Sequence, residues 1–219
     1  MSENLNVAVV TGSHPYDVVN FQKMFTNFPD ITIYPQHMED FVTDTGEGRD
    51  MYDVVLFYHM FTETPGSKET RFNQQMEEVL SKLGNTPQGI FILHHSVVGF
   101  PDWELWSQIC GIANRVNDEV FEGVEMEFEI EDDSHFITKG LTSWSMEDEV
   151  YTIDNANSDD NNILITTNHP KSMKTIAWTR KYKKARVFCF SAGHDNQAFS
   201  NPNFQEVVKR GIIWTANNN

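Results

Sequence analysis

The sequence predicts an α/β domain in three layers, α/β/α, built on a mostly parallel, doubly wound sheet with an antiparallel addition. Three observations carry this. Short apolar runs alternate with amphipathic helical stretches through the first half of the chain, the pattern of successive βαβ units. Those runs lack polar alternation, as expected where helices cover both faces of a sheet. Val124 to Ile130, by contrast, alternates apolar residues with Glu, which marks a strand with one wet face and an antiparallel neighbour.

Leu5 to Val10 is a Val-rich strand running into Thr11-Gly12-Ser13-His14. Val18, Phe21, Phe25 and Phe28 fall at helical spacing, and Pro29 ends that helix. Ile31 to Tyr34 is a second strand, followed by a polar loop from Asp40 to Asp50. Tyr52 to Tyr58 is the third strand. Phe72, Met76, Val79, Leu80 and Leu83 make the next helical stripe, closed by Gly84 as a left-handed cap. Gly89 to Leu93 is the fourth strand. Cys110 lies in a helix-like stretch, and beyond Val124 to Ile130 come strands at Ile163 to Thr167, Thr175 to Thr179 and Arg186 to Ala192. Asp154 to Asn162 is a polar loop. Asn201-Pro202 opens the last helix with Asn as N-cap and Pro at the first helical position, and its stripe runs through Phe204, Val207, Val208, Gly211, Ile212 and Trp214. No linker or internal repeat divides residues 1–219, so one domain is expected.

Composition bounds the function. With 32 acidic against 16 basic residues, the formal charge of −16 repels phosphate backbones and anionic membranes, so nucleic acid and membrane are poor partners. A small neutral carbohydrate is unaffected, and a homo-oligomer stays open. Cys110 and Cys189 form no CxxC motif; Cys189, inside Val187-Phe188-Cys189-Phe190, reads as a small buried hydrophobe. The polar start Met1-Ser2-Glu3-Asn4 and the lack of a long apolar run lead us to expect a cytoplasmic protein.

The histidines are placed unevenly. In an open parallel sheet, ligands bind outside the carboxyl ends of the strands. His14 follows the first strand, His59 the third, His94 and His95 the fourth, and His194 the strand ending at Ala192, so five of the eight histidines are expected at one edge. His94-His95-Ser96-Val97-Val98 stands at the junction where a nucleophile elbow would form. No Cys is there, and Val97 and Val98 are poor candidates for positive φ. Glutamine hydrolysis through a thiolate is therefore excluded, and Ser96 remains only as a minor alternative nucleophile. In Ser191-Ala192-Gly193-His194-Asp195, Gly193 allows a sharp turn that presents His194. Asp195 either orients a histidine or caps the loop. Tyr58, Phe100, Trp103, Trp106 and Trp178 offer ring faces, though core packing accounts for most of them.

These residues carry a family likeness. Ile176-Ala177-Trp178, Arg186-Val187-Phe188, Gly193-His194-Asp195 and the closing Gly211-Ile212-Ile213-Trp214 resemble the distal half of ThuA-like (trehalose-utilisation) domains. Upstream, Asp132-Asp133-Ser134-His135-Phe136-Ile137-Thr138-Lys139-Gly140-Leu141 is similar to that family's acidic/His-Pro-Ile-x-x-Gly-Leu stretch, with Phe136 in place of Pro. Asp148-Glu149-Val150-Tyr151 resembles its Asp-Glu-x-Tyr. The likeness covers nearly the whole chain. It implies a flavodoxin-like, class I glutamine amidotransferase-like fold without the thiol nucleophile, and a link to trehalose and 3-keto-sugar metabolism.

The expected function is carbohydrate processing of a (3-keto-)disaccharide without glutaminase activity. His95 and His194 would act as general acid/base groups. Asp195 would complete the catalytic set, and His14, His59 and His94 would bind substrate. In a variant, His59, His95 and His194 hold a divalent metal with an open water position. The alternative is a non-catalytic sugar-binding or scaffold domain that keeps the fold.

Overall fold

The computed structural model describes residues 4–117 and 119–217; the polar start at residues 1–3 lies outside the described residues. The elements are β1 (Leu5–Gly12), α1 (Val18–Phe25), β2 (Ile31–His37), α2 (Met38–Thr43), β3 (Val54–His59), α3 (Arg71–Leu80), β4 (Gly89–Leu93) and α4 (Glu104–Cys110). They continue with β5 (Val120–Ile130), β6 (Trp144–Tyr151), β7 (Asn162–Thr166), β8 (Thr175–Tyr182), β9 (Ala185–Phe190), α5 (Asn196–Phe199) and α6 (Pro202–Ala216).

The strands lie in the order β2-β1-β3-β4-β9-β8-β7-β5-β6. The first five pair in parallel and the rest antiparallel. Successive side chains of a strand point to opposite faces, and the core divides accordingly. Val7, Val9, Val54, Leu56, Phe91 and Phe188 face α1, α5 and α6. Ala8, Val10, Val55, Phe57, Ile90 and Val187 face α2, α3 and α4. Both sides are dry, which explains the unbroken apolar runs. No helix among the described residues is long and apolar enough to cross a membrane.

Three elements depart from the sequence-based expectation, the one-turn helix α5 among them. Part of the polar loop expected from Asp40 is the short helix α2, held by Met38, Phe41 and Val42, which are buried although charged neighbours mask the stripe. Strand β6 has no counterpart among the expected strands, because Glu147-Asp148-Glu149 looks like a solvated turn; Asp148 and Glu149 are in fact buried.

β6 is the strand that brings acidic groups to the histidine edge. It pairs along β5, from Phe128↔Trp144 to Val120↔Tyr151, across a bulge between Phe121 and Val124. Among the described residues, β5 pairs with the main sheet through Glu129↔Thr166 and Ile130↔Ile165. The hairpin folds back so that the last residues of β6 reach the carboxyl ends of β4 and β9.

Helix α6 seats on the sheet through Gly211, where a Cβ would lie 2.3 Å from Phe188 Cδ1. Gly211→Ala is expected to destabilise the fold by about 1–3 kcal/mol through overpacking, although Ala is the better helix former by about 1 kcal/mol. Urea unfolding of the variant checks this; unchanged or greater stability would show that Phe188 can give way.

Candidate functional site

At the end of β4 the chain enters a single 3-10 turn, His94–Val97. The sequence directs attention to Val97 and Val98 as the residues an elbow would strain. Instead Val98 is right-handed, at φ −93°, and the positive φ falls on His94, at +52°. A non-glycine residue held there costs about 1–3 kcal/mol and must be fixed by its surroundings. His94 stands where the nucleophile of an elbow would stand, and it is well anchored. Its Nδ1 is 3.0 Å from the carbonyl oxygen of Ser191. A carbonyl only accepts, so Nδ1 carries the proton and Nε2 keeps its lone pair. The Tyr151 hydroxyl lies 3.1 Å from that Nε2. Burial lowers the His94 pKa to about 3, so the ring is neutral.

Glu149 is the centre of the site. One carboxylate oxygen is 3.6 Å from His94 Nε2 and the other 3.2 Å from His194 Nδ1. Glu149 is buried, whereas His194 is partly exposed. With Nδ1 turned to the carboxylate, the other nitrogen of His194 remains for a substrate. The preceding residue, Asp148, accepts the backbone N–H groups of Gly193 (2.8 Å), His194 (2.9 Å) and Glu149 (2.8 Å). Burial raises its pKa to about 7, against those donors, which favour the ionised form.

His95 is the least satisfied group. It is 1% exposed, and neither ring nitrogen has a hydrogen-bond partner. Its ring centroid lies 4.5 Å from that of His14 and 4.3 Å from that of Tyr58. Burial drives its pKa far below the usual histidine range, so it too is neutral. His14 arrives on a loop turned by Gly12 and Ser13, both at positive φ. Its ring lies 6.2 Å from that of His194.

The structure therefore gathers His14, His94, His95 and His194, but not His59. Strand parity explains the correction. Tyr58 faces the histidine cluster, so its neighbour His59 faces the opposite layer, packed on Phe100 and Trp106 at 4.8 and 5.5 Å. Burial lowers the His59 pKa to about 3. The metal set His59, His95 and His194 is consequently not assembled. The set brought together is His94, Glu149 and His194, whose ligand atoms all lie within 4.8 Å of one another.

Asp195 is also corrected. It is exposed, and its carboxylate caps α5 by accepting the N–H of Gln197 at 2.8 Å. The carboxylate on His194 is Glu149. Ser96 has no free hydroxyl to attack with: it accepts the N–H of His59 at 2.6 Å and donates to the His59 carbonyl at 2.9 Å. Tyr58, Phe100, Trp106 and Trp178 are all core, and only Trp103 is half-buried. Cys110 and Cys189 are fully buried.

Sequence reasoning missed three contributors. Asp148 and Glu149 carried a signal only in their resemblance to a family motif. Arg115 carried none. Fully buried, it donates to the carbonyls of Val97, Gly99, Phe100 and Trp103 and to Ser107 Oγ, so it ties down the loop that follows the His94 turn.

Comparison with known proteins agrees with this architecture. Among curated proteins none matches the chain in sequence. A ThuA-like protein of Parabacteroides merdae superposes with a TM-score of 0.74 at 19% identity, over 98% of this chain and 91% of that one. A cytoplasmic protein of Salmonella typhimurium gives 0.71 at 12% identity, over 96% and 99%. A glutamine amidotransferase of Thermotoga maritima gives 0.54 at 7% identity, over 98% and 96%. At these identities the likeness establishes the fold. The family model for ThuA, described as trehalose utilisation, matches residues 20–215, a span that takes in every described element of the site except His14. With the elbow, the acid pair on β6 and the Gly193-His194 turn all inside that match, the chain belongs to the ThuA family and to carbohydrate metabolism.

Proposed function

We propose that the protein processes a neutral keto-disaccharide by moving a proton at the carbon beside the ketone. The observation that carries this is the buried Glu149 at 3.2 Å from His194, beside the neutral and unpartnered His95. A carboxylate behind an imidazole fixes its tautomer and stabilises it once protonated. His194 then takes the proton from the carbon next to the ketone. A neutral His95 N–H donates to the ketone oxygen as negative charge develops there. The electron pair left behind expels the glycosidic oxygen one carbon further on, and that oxygen recovers the proton from His194. His14 and His94 border the bound sugar. The mechanism includes no glutamine hydrolysis, since an imidazole stands at the elbow. The acidic surface suits an uncharged ligand better than nucleic acid or a lipid headgroup, and two buried free thiols suit a reducing, cytoplasmic compartment.

A second reading is favoured by the His94 tautomer. Its unprotonated Nε2, with Glu149 and His194 Nδ1, makes an N, O, N donor set that fits zinc or another first-row divalent ion. The hydrogen bond from Nδ1 to Ser191 is the outer-shell support such ligands use. There the cation would supply the positive charge that polarises the ketone.

The test is a 3-keto-disaccharide and its parent disaccharide incubated in deuterated buffer, with chelator and with added zinc or manganese. We expect deuterium at the carbon beside the ketone and cleavage of the keto compound alone. Activity lost to chelator and restored by metal would select the second reading. Calorimetric sugar binding with neither exchange nor cleavage under any condition would leave a binding module.

A further inference from the structure

We infer that Asp148 is the positioning residue of the site, clamping the Gly193-His194 backbone so that His194 meets Glu149. The inference rests on His194 as the working imidazole, but its main test needs no turnover.

Neighbouring residues on a strand point to opposite faces, so a pair such as Asp148-Glu149 normally has one member in solvent. Here both are buried. Asp148 lies on the face of Trp144, Met146 and Val150, and Glu149 on that of Tyr151. The turn after β9 crosses between them. Asp148 holds its backbone from one side, taking the N–H of Gly193 on one oxygen and that of His194 on the other. Glu149 takes the imidazole of the same residue from the other side.

The turn needs such a clamp. Gly193 sits at φ +122°, where a Cβ would meet the Phe204 ring at 2.9 Å, so the backbone is both unusual and closely packed. Asp148 accepts the backbone amides of Gly193, His194 and Glu149, and with its carboxyl ionised such charge-assisted bonds are about twice as strong as neutral ones. The Tyr58 hydroxyl completes the hold by donating to the Gly193 carbonyl at 2.8 Å. β6 therefore carries two carboxylates with separate tasks, one binding the turn's backbone and one facing the His194 imidazole.

The discriminating substitution is Asp148→Asn. It keeps the shape but puts an NH2 group against at least one backbone N–H. The readout is the ring-nitrogen NMR spectrum of the full chain, which reports tautomer residue by residue. In the wild type, His194 should show a protonated Nδ1 facing Glu149. In the variant that signature should give way to mixed tautomers, with the His59 signals on the opposite face unchanged. A merely structural role would lower the melting temperature without singling out His194.

Turnover of the keto-sugar should fall by about 10²-fold with KM nearly constant, the scale expected of a small misplacement. If turnover is absent in the wild type, the proposed reaction fails while the ring-nitrogen result still decides the clamp. Should the variant not fold, amide exchange in the wild type serves. Gly193 and His194 N–H must be protected to the level of the β9 core. Exchange at the rate of an open loop, or an unchanged His194 spectrum in Asp148→Asn, overturns the inference.

Discussion

Replacing His194 by Ala is expected to lower turnover of a keto-disaccharide by about 10²–10⁴-fold, the usual worth of a positioned acid/base group. The fold should tolerate the change. His194 is partly exposed and lies outside the strands, so the melting point should move by a few degrees at most. Glu149→Gln should reproduce much of the loss, because Gln cannot stabilise the protonated imidazole. Combining the two should cost little more than either alone, as for residues acting as one unit. His95→Ala should also reduce turnover, by about 10²–10³-fold, the range for a lost donor to a developing oxyanion. Steady-state kinetics on the four variants, with circular dichroism to confirm folding, provides the check. A His194→Ala protein that keeps most of its activity would remove the base from the mechanism.

Stability should fall steeply as pH drops below about 6.5, and the buried groups set the sign. His59 and His94 have pKa values lowered to about 3 by burial, and His95 is lowered further. In the unfolded chain each returns to about 6.5. Between those limits the unfolded state binds three protons that the folded state refuses, which favours unfolding by about 1.4 kcal/mol per pH unit for each. Asp148 acts in the opposite sense. Its pKa is raised to about 7 when folded, against about 3.9 unfolded, so the folded state holds one extra proton in that window.

The net of two protons amounts to about 4 kcal/mol between pH 6.5 and pH 5, a large share of the roughly 5–15 kcal/mol by which domains are stable. Urea titrations from pH 7.5 to 5 measure it. His59→Gln should lessen the slope by one proton, about 1.4 kcal/mol per pH unit, because His59 lies apart from the other two. A flat profile across this range would show that the buried imidazoles charge freely.

The local signals in the sequence are sufficient for the scaffold. The runs Val7–Val10 in β1, Val54–Phe57 in β3 and Ile90–Leu93 in β4 are unbroken apolar stretches because helices cover both faces, and that burial is written residue by residue. Asn201-Pro202 begins α6 as expected, with the Asn201 side chain accepting from Asn203 and Phe204. α2 and β6 are hidden because their buried residues sit among charges that signal loop. The position of β6 is not legible at all, since it depends on a bulge and a two-residue junction that turn the hairpin back.

For the site, sequence determined which histidines stand at strand ends, because chain order and strand direction suffice to place a residue at an edge. It also carries a signal against His59: Tyr58 and His59 are consecutive in a strand, so both cannot face the same cluster. Tertiary structure alone decided that the partner of His194 is Glu149 rather than adjacent Asp195, which is spent as a cap. It likewise placed the strained residue at His94 rather than Val97 or Val98, and buried two neighbouring carboxylates together. The physical reason is common to all three. A side chain's role depends on what the folded chain brings within about 3 Å of it and on how much water is removed, and neither property belongs to any local stretch of sequence.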